Sequence, residues 1–326
     1  MPFSPAQPPA PGHPSATKER PLHLGLFTAA FPDATLTEVA DFASTNGYQA
    51  LELAAWPQDN GAERRYSGVC HVPTETLDAE GAAAIRTLLG ERGLSISSLG
   101  FYPNVFDPDA DTAQAAREHL PHVFRAASLL GVNVVGTFVG RNPAQSVPNA
   151  FEDVKAVWPA LIASAREHNV AVAFENCPMI FSQDEWPGGK NLAYSPAIWR
   201  ELFRLLPGDD VGLNLDPSHL VWQMIDIERV VREFAPKILH VHAKDLEIDR
   251  DGLYDEGVMS LGMGWQVPRL PGLGEVRWDR FIAALFRHGY DGVVSVEHED
   301  RSFEGSRELI ERGFLIARDA IKPYLH

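Results

Sequence analysis

From His23 onward this 326-residue chain alternates short aliphatic or β-branched runs with longer amphipathic segments, at about one pair every 35 to 40 residues. Strand-like runs begin near His23 (HLGLFTA), Tyr48 (YQALELAA), Ser95 (SISSLGFY), Asn133 (NVVGTFVG), Val170, Val211, Ile238 and Val293. Between them, Thr35 to Asn46, Ala113 to Leu130, Phe151 to His168, Ile227 to Phe234 and Trp278 to His288 carry apolar residues at helical three and four spacing. Several segments end in glycine (Gly47, Gly93, Gly131, Gly289), as helix C-caps do. Eight strand–helix pairs predict an α/β chain folded as a single (β/α)8 TIM barrel, a fold whose usual size of about 250 residues stretches to this length with insertions.

Two segments break the rhythm. The first twenty or so residues are rich in Pro, Ala and Ser and lack the apolar core of a secretory signal, so residues 1–21 are expected to be a flexible extension and 22–326 the barrel. Residues 246–276 are too long for an ordinary strand-to-helix connection, and insertions of that length usually serve as lids, binding loops or interfaces. The LPGLGE stretch inside it has close glycines but lacks the Lys and Ser/Thr of a phosphate loop; it is expected to be a tight turn into the last helix.

Charge and composition narrow the partners. Lys plus Arg number 28 against 44 Asp plus Glu, a net −16 that would repel a phosphate backbone and disfavours nucleic acid. A neutral or weakly charged small molecule fits better. No apolar stretch approaches the ~20 residues of a membrane span, and the two distant cysteines, Cys70 and Cys177, suit a reducing cytoplasm better than a disulfide framework.

Four of the strand-like runs, VAVAFEN, VGLNLDPSH, ILHVHAKD and VVSVEHED, each close on a potential metal ligand: Glu175, Asp216, His242 and Glu297. In such a barrel the C-terminal strand ends converge on one mouth, so the four are expected to meet there. A set of oxygen donors with one imidazole suits divalent Mn, Mg or Co, with Zn possible. Strand alternation puts His240, His242 and Lys244 on one face; His240 is expected deeper, His242 nearer the mouth and Lys244 at its rim. Trp56, Phe101, Tyr102 and Trp222 fall near strand ends and suit either core packing or the apolar face of a sugar ring. His71, Asn104, Arg141 and Arg269 are candidate hydroxyl or phosphate contacts.

The motifs FEN (Phe174 to Asn176), LDPSH (Leu215 to His219), HVHAKD (His240 to Asp245) and the late pair LPGLGEVRW and GYDGVVSVEHED resemble, in this order, the sugar phosphate isomerase/epimerase superfamily. These are xylose isomerase-like barrels that include ketose 3-epimerases and inosose dehydratases, and the resemblance runs from about His23 to Tyr324. It implies one divalent metal, Mn foremost, held by Glu175, Asp216, His242 and Glu297. It also implies that the two glutamates form an acid/base pair, that His219 contacts substrate, and that the protein assembles as a homodimer or homotetramer. Proton removal next to a carbonyl needs a stabilised enediolate, which a Lewis-acid metal and a nearby carboxylate provide.

The expected activity is therefore a sugar or keto-sugar isomerase/epimerase. Its alternative is a lyase or dehydratase on a keto-inositol or 3-keto-glycoside, since loss of a leaving group from the same carbanion gives elimination. His219, Lys244, Trp56 and Arg269 are the expected substrate contacts. An abasic-site endonuclease or a non-catalytic sugar-binding protein fits the acidity and the ligand set less well.

Overall fold

The computed structural model describes residues 21–58, 68–180, 189–258 and 264–326. All of the expected N-terminal extension except Pro21, and residues 259–263 of the insertion, therefore lie outside the described residues.

Among the described residues ten strands run in chain order: β1 (His23–Phe27), β2 (Ala50–Ala54), β3 (Ser95–Gly100), β4 (Val134–Thr137), β5 (Ala171–Glu175), β6 (Val211–Leu215), β7 (Ile238–Ala243), β8 (Asp245–Ile248), β9 (Gln266–Arg269) and β10 (Val293–Val296). Eight of them close into a parallel barrel in the order β1-β10-β7-β6-β5-β4-β3-β2, while β8 and β9 form a separate antiparallel pair. Helices between the barrel strands complete a (β/α)8 TIM barrel. Each of the eight barrel strands begins within two residues of the position its sequence run indicates, while β8 and β9 have no such run.

Local chemistry explains the helix limits. Helix α1 (Leu36–Thr45) starts at a capping box in which the Thr35 hydroxyl takes the Glu38 N–H while the Glu38 side chain takes the Thr35 N–H. The helix Ala110–Leu130 starts at an Asp109 cap and stops at Gly131, whose φ of 72° is the left-handed conformation that glycine reaches without strain. The barrel strands are buried on both faces; Leu51, Leu53, Val135, Val172, Phe174, Leu213, Leu215, Val241 and Val294 are fully enclosed.

Pairing register sets the rim. Glu175 lies opposite Asn214, Leu215 opposite Val241, and Ser295 opposite His242. The C-terminal ends of β5, β6, β7 and β10 are thus brought level at one mouth.

The insertion is ordered where it is described. β8 and β9 pair from Asp245↔Arg269 to Ile248↔Gln266, and the seven-residue helix Arg250–Glu256 lies between them. Leu246 and Trp265 bury against Trp222 and Ile180 in a small second apolar cluster separate from the main core. Asp245 anchors its base by accepting from the N–H groups of Leu246 (2.9 Å), Val276 (2.9 Å) and Gly272 (3.0 Å) and from Trp278 Nε1 (2.9 Å). The LPGLGE turn leads into the helix Trp278–Arg287, which is not the last helix: the helix Arg307–Ile321 follows β10 and supplies the eighth pair. Among the described residues no helix is long and apolar enough to cross a membrane.

Candidate metal centre

Glu175 is the last residue of β5, Asp216 follows β6, His242 is the penultimate residue of β7, and Glu297 follows β10. In such a barrel this end holds the side chains that point into the mouth. His242 Nδ1 stands 3.6 Å from Glu175 Oε1 and 3.4 Å from Glu297 Oε2, and ligand atoms of these three residues lie within 4.8 Å of one another. Asp216 joins through shared neighbours, its Oδ2 being 3.2 Å from His219 Nε2 and 3.1 Å from Lys244 Nζ. The four strand-end residues therefore meet at one place.

Whether the group suits a cation can be judged from its polar atoms. Glu175 Oε1, Asp216 Oδ2, His242 Nδ1 and His219 Nε2 are enclosed and make no hydrogen bond among the described residues, although Asp216 Oδ2 has the ion-pair contact with Lys244. Buried polar atoms almost always find a hydrogen bond, so this clustering of exceptions fits side chains that would hold a cation. Four enclosed carboxylates, Glu52, Glu175, Asp216 and Glu297, face one lysine and the imidazoles of His219, His240 and His242. The donor set of three carboxylates and one imidazole fits a hard or borderline divalent ion.

Backbone staples hold the ligands. The Asn176 amide accepts the Asp216 N–H at 2.7 Å and donates to the Asp216 carbonyl at 2.9 Å, tying the ends of β5 and β6 together. Asn191 donates to the carbonyls of Glu175 (2.9 Å) and Cys177 (2.6 Å), fixing the chain on either side of Asn176.

Electrostatics follow from this crowding. Burial raises the Glu175 carboxyl, but the nearby imidazoles of His219 and His242 and the charge of Lys244 outweigh it and hold the pKa at about 2. Asp216 is likewise driven below its ordinary value: burial opposes this, and Lys244 and His219 overcome it. His242 and Lys244, although burial disfavours their charged forms, are pushed well above their usual values by the surrounding carboxylates. Glu299 moves up, chiefly through burial and with the charge of Glu297 adding to it.

Lys244 differs from its expected place at an open rim. It is 3% exposed, and its ammonium pairs with Glu297 (2.7 Å), Glu299 (3.0 Å) and Asp216 (3.1 Å) instead of with Asp245. His219, also 3.7 Å from Glu175 Oε1, has a side chain 12% exposed. Trp56 belongs to an aromatic cluster with Phe27, Phe101 and Tyr102, and Phe27 in turn stacks on His242 at 5.7 Å.

Arg269 lies apart from the four: it is on β9, with Glu247 at 3.4 Å, Asp300 at 3.5 Å and Ser302 at 3.4 Å. His71 and Asn104 make structural bonds. His71 Nδ1 meets the Thr28 hydroxyl and Nε2 the Ala34 carbonyl, while Asn104 bonds both backbone groups of Arg141. The Arg141 guanidinium donates to the Gln145 carbonyl. Cys70 and Cys177 are free thiols.

The strand-run reading passed over Glu52. It is fully enclosed on β2, and its Oε2 is 2.8 Å from His242 Nε2. The available signal was a single charged residue inside the apolar run YQALELAA. His240 lies in the same layer, between Asn214 Oδ1 (3.1 Å) and the hydroxyls of Ser97 (3.2 Å) and Ser98 (3.3 Å).

Comparisons with known proteins agree with this architecture. A Bacillus subtilis protein, the uncharacterised YfiH, is 28% identical over 315 residues, covering 86% of this chain and 93% of its own. An inosose dehydratase from Geobacillus thermodenitrificans is 26% identical over 227 residues, 66% of this chain and 72% of its own. Among solved structures, the D-psicose 3-epimerase of Clostridium cellulolyticum H10, determined with D-tagatose, superposes with a TM-score of 0.67 at 16% identity, covering 94% of this chain and all of that one. That last likeness is one of fold. Residues 40–320 match the family model of the xylose isomerase-like TIM barrel, and with the closed eight-stranded barrel this makes the chain a member of that family.

Proposed function

We propose that this protein is a divalent-metal-dependent isomerase or epimerase of a sugar or keto-sugar, acting by proton transfer next to a carbonyl through an enediolate. The observation that carries the reading is the convergence of Glu175, His242 and Glu297 at the carboxyl ends of their strands, with Asp216 joined to them through Lys244 and His219, and with Glu175 Oε1, Asp216 Oδ2 and His242 Nδ1 enclosed and free of hydrogen bonds. A bound ion, Mn foremost and Mg, Co or Zn compatible, would supply Lewis-acid polarisation of the carbonyl. Asp216 and His242 act chiefly as holders. Glu175 and Glu297 exchange the proton, one withdrawing it from carbon and the other returning it. The partly open imidazole of His219 and the aromatic cluster around Trp56 offer a polar and an apolar contact to a ring. A neutral or weakly charged substrate matches the net −16 of the chain. Assembly as a homodimer or homotetramer belongs to the same proposal.

One observation favours a second reading, a lyase or dehydratase on a keto-inositol or 3-keto-glycoside. The Lys244 ammonium, 2.7 Å from Glu297 and 3.0 Å from Glu299, is a fixed cation that would steady the negative charge of a leaving oxygen. The similarity to an inosose dehydratase supports it as well.

Incubation of the Mn-loaded protein with candidate keto-sugars in deuterium oxide separates the two. Solvent deuterium in an isomeric product supports isomerisation or epimerisation; release of water or of an aglycone supports elimination. Turnover that persists undiminished in both Glu175→Gln and Glu297→Gln would sink the proton-transfer roles.

A further inference from the structure

We propose that Glu52 is a positioning residue that holds His242 in the Nε2–H tautomer, aims its Nδ1 lone pair at the carboxylate cluster and so sets the affinity of the centre for a divalent ion. The proposal rests on the metal-centre reading above.

The hydrogen bonds beneath the centre leave little choice of direction. Glu52 Oε2 lies 2.8 Å from His242 Nε2, and an ionised carboxylate only accepts, so the proton of this contact sits on Nε2. The other oxygen is already committed: Tyr102 donates to Glu52 Oε1 at 2.6 Å, and the Tyr102 oxygen itself accepts from Asn214 Nδ2 at 2.9 Å. The Tyr102 oxygen also lies 3.3 Å from His242 Nε2, but that nitrogen carries the proton given to Glu52, so the single phenol proton goes to the nearer Glu52 oxygen. Asn214 is oriented in turn by His240 Nδ1, 3.1 Å from Asn214 Oδ1. The donors therefore run His240 to Asn214 to Tyr102 to Glu52, with His242 feeding the same carboxylate from the opposite side.

The barrel makes room for this network. A Cβ on Gly100 would stand 2.7 Å from Glu52 Oε1 and 2.6 Å from Phe27, and a Cβ on Gly136 would collide with the Tyr102 hydroxyl. The pairing register shifts between Leu51 and Glu52 on β2 and between Leu213 and Asn214 on β6, at two members of the network. Such shifts re-aim side chains.

Glu52, His240 and His242 also lie close enough to resemble a metal cluster of their own. Their contacting atoms already have hydrogen-bond partners, whereas His242 Nδ1, on the mouth side, has none. This layer is thus support for the centre and not a second one. A carboxylate behind a ligating imidazole fixes the ring and raises its basicity, and losing such a partner typically weakens metal binding ~10 to 100-fold.

Substituting Glu52→Gln should reverse the tautomer. With the Gln carbonyl keeping the Tyr102 proton, its amide N–H faces His242 Nε2, which must then accept. The test is Mn²⁺ binding to the full chain, by calorimetry and by the electron paramagnetic signal of free Mn²⁺, together with ¹⁵N-histidine spectra of the Zn²⁺-loaded protein. Wild type is expected to bind Mn²⁺, Asp216→Asn to lose binding, and Glu52→Gln to bind ~10 to 100-fold more weakly. The spectra should show the Nε2–H form of His242 in wild type, lost in Glu52→Gln. Should Glu52→Gln fail to fold, Glu52→Asp keeps the charge but withdraws the carboxylate, and weaker binding is again expected. Wild-type affinity in whichever of the two variants folds, with Asp216→Asn blank, overturns the role of Glu52 alone. Absence of Mn²⁺ binding in wild type overturns the metal centre and this proposal with it.

Discussion

Asn176 grips the backbone of Asp216 with both ends of its amide, accepting from the Asp216 N–H at 2.7 Å and donating to its carbonyl at 2.9 Å. Two strands that each end in a candidate ligand are thereby locked at a fixed offset. Asn176→Ala removes both bonds and leaves two buried backbone groups unpaired, each costing about 1 to 3 kcal/mol. A clear fall in the urea midpoint is expected, with roughly tenfold weaker Mn²⁺ binding as Asp216 shifts. An unchanged midpoint together with unchanged binding would show that the staple is idle.

Lys244 neutralises part of a carboxylate cluster that a metal ion would also neutralise. Lys244→Met keeps most of the volume and deletes the charge, leaving Asp216, Glu297 and Glu299 facing one another. Breaking a buried ion pair from one side costs about 3 to 5 kcal/mol, so the metal-free variant should melt well below wild type. Added Mn²⁺ should recover more stability in the variant than in wild type. Equal metal-induced shifts in a melting experiment would contradict this.

The pH response can be read from a histidine remote from the ligands. Burial lowers the pKa of His71 below its ordinary 6.5, and that of the deeper His240 to about 4 with the charge of His242 contributing. Above the unfolded value neither state binds the proton and nothing is lost. As pH falls below about 6.5 the unfolded chain takes up protons that the native state refuses, so stability declines towards the native pKa, by up to about 1.4 kcal/mol per pH unit for each histidine. The Ala34 carbonyl can only accept, so His71 Nε2 carries the proton and donates to it, and in the neutral ring Nδ1 then accepts from the Thr28 hydroxyl. Gln can accept and donate in the same way. His71→Gln should therefore flatten the urea midpoint against pH between 6.5 and 5, relative to wild type; parallel curves would refute the assignment.

Asp245 receives four donors that close the base of the insertion. In Asp245→Asn one carboxylate oxygen becomes an amide N–H that must face either Leu246 and Val276 or Gly272 and Trp278. Limited proteolysis is expected to cut within 246–276 at least about tenfold faster, because local opening exposes backbone. Hydrogen exchange in β5 and β6 should stay slow. Uniform acceleration throughout the barrel would instead place Asp245 in the global core.

The rhythm of the chain determined the barrel, because strand and helix periods are local properties set by alternating burial. The same rhythm made Glu175, Asp216, His242 and Glu297 legible, since parallel strands place all their C-terminal ends on one rim whatever their order in the chain. Other features depended on partners far away in sequence. Glu52 lies 190 residues from His242, and nothing in ALELA says which strand lies across the barrel. Lys244 reads as a neighbour of Asp245, yet strand geometry turns it to Glu297, 53 residues away, while Asp245 serves the insertion. Arg269, a polar residue near a long loop, reads as a candidate contact; antiparallel pairing of β8 with β9 sets it beside Glu247 and Asp300. Local periodicity thus determined which residues reach the rim, and only closure of the barrel decided which of them touch, because those contacts form across the sheet between segments that the sequence keeps apart.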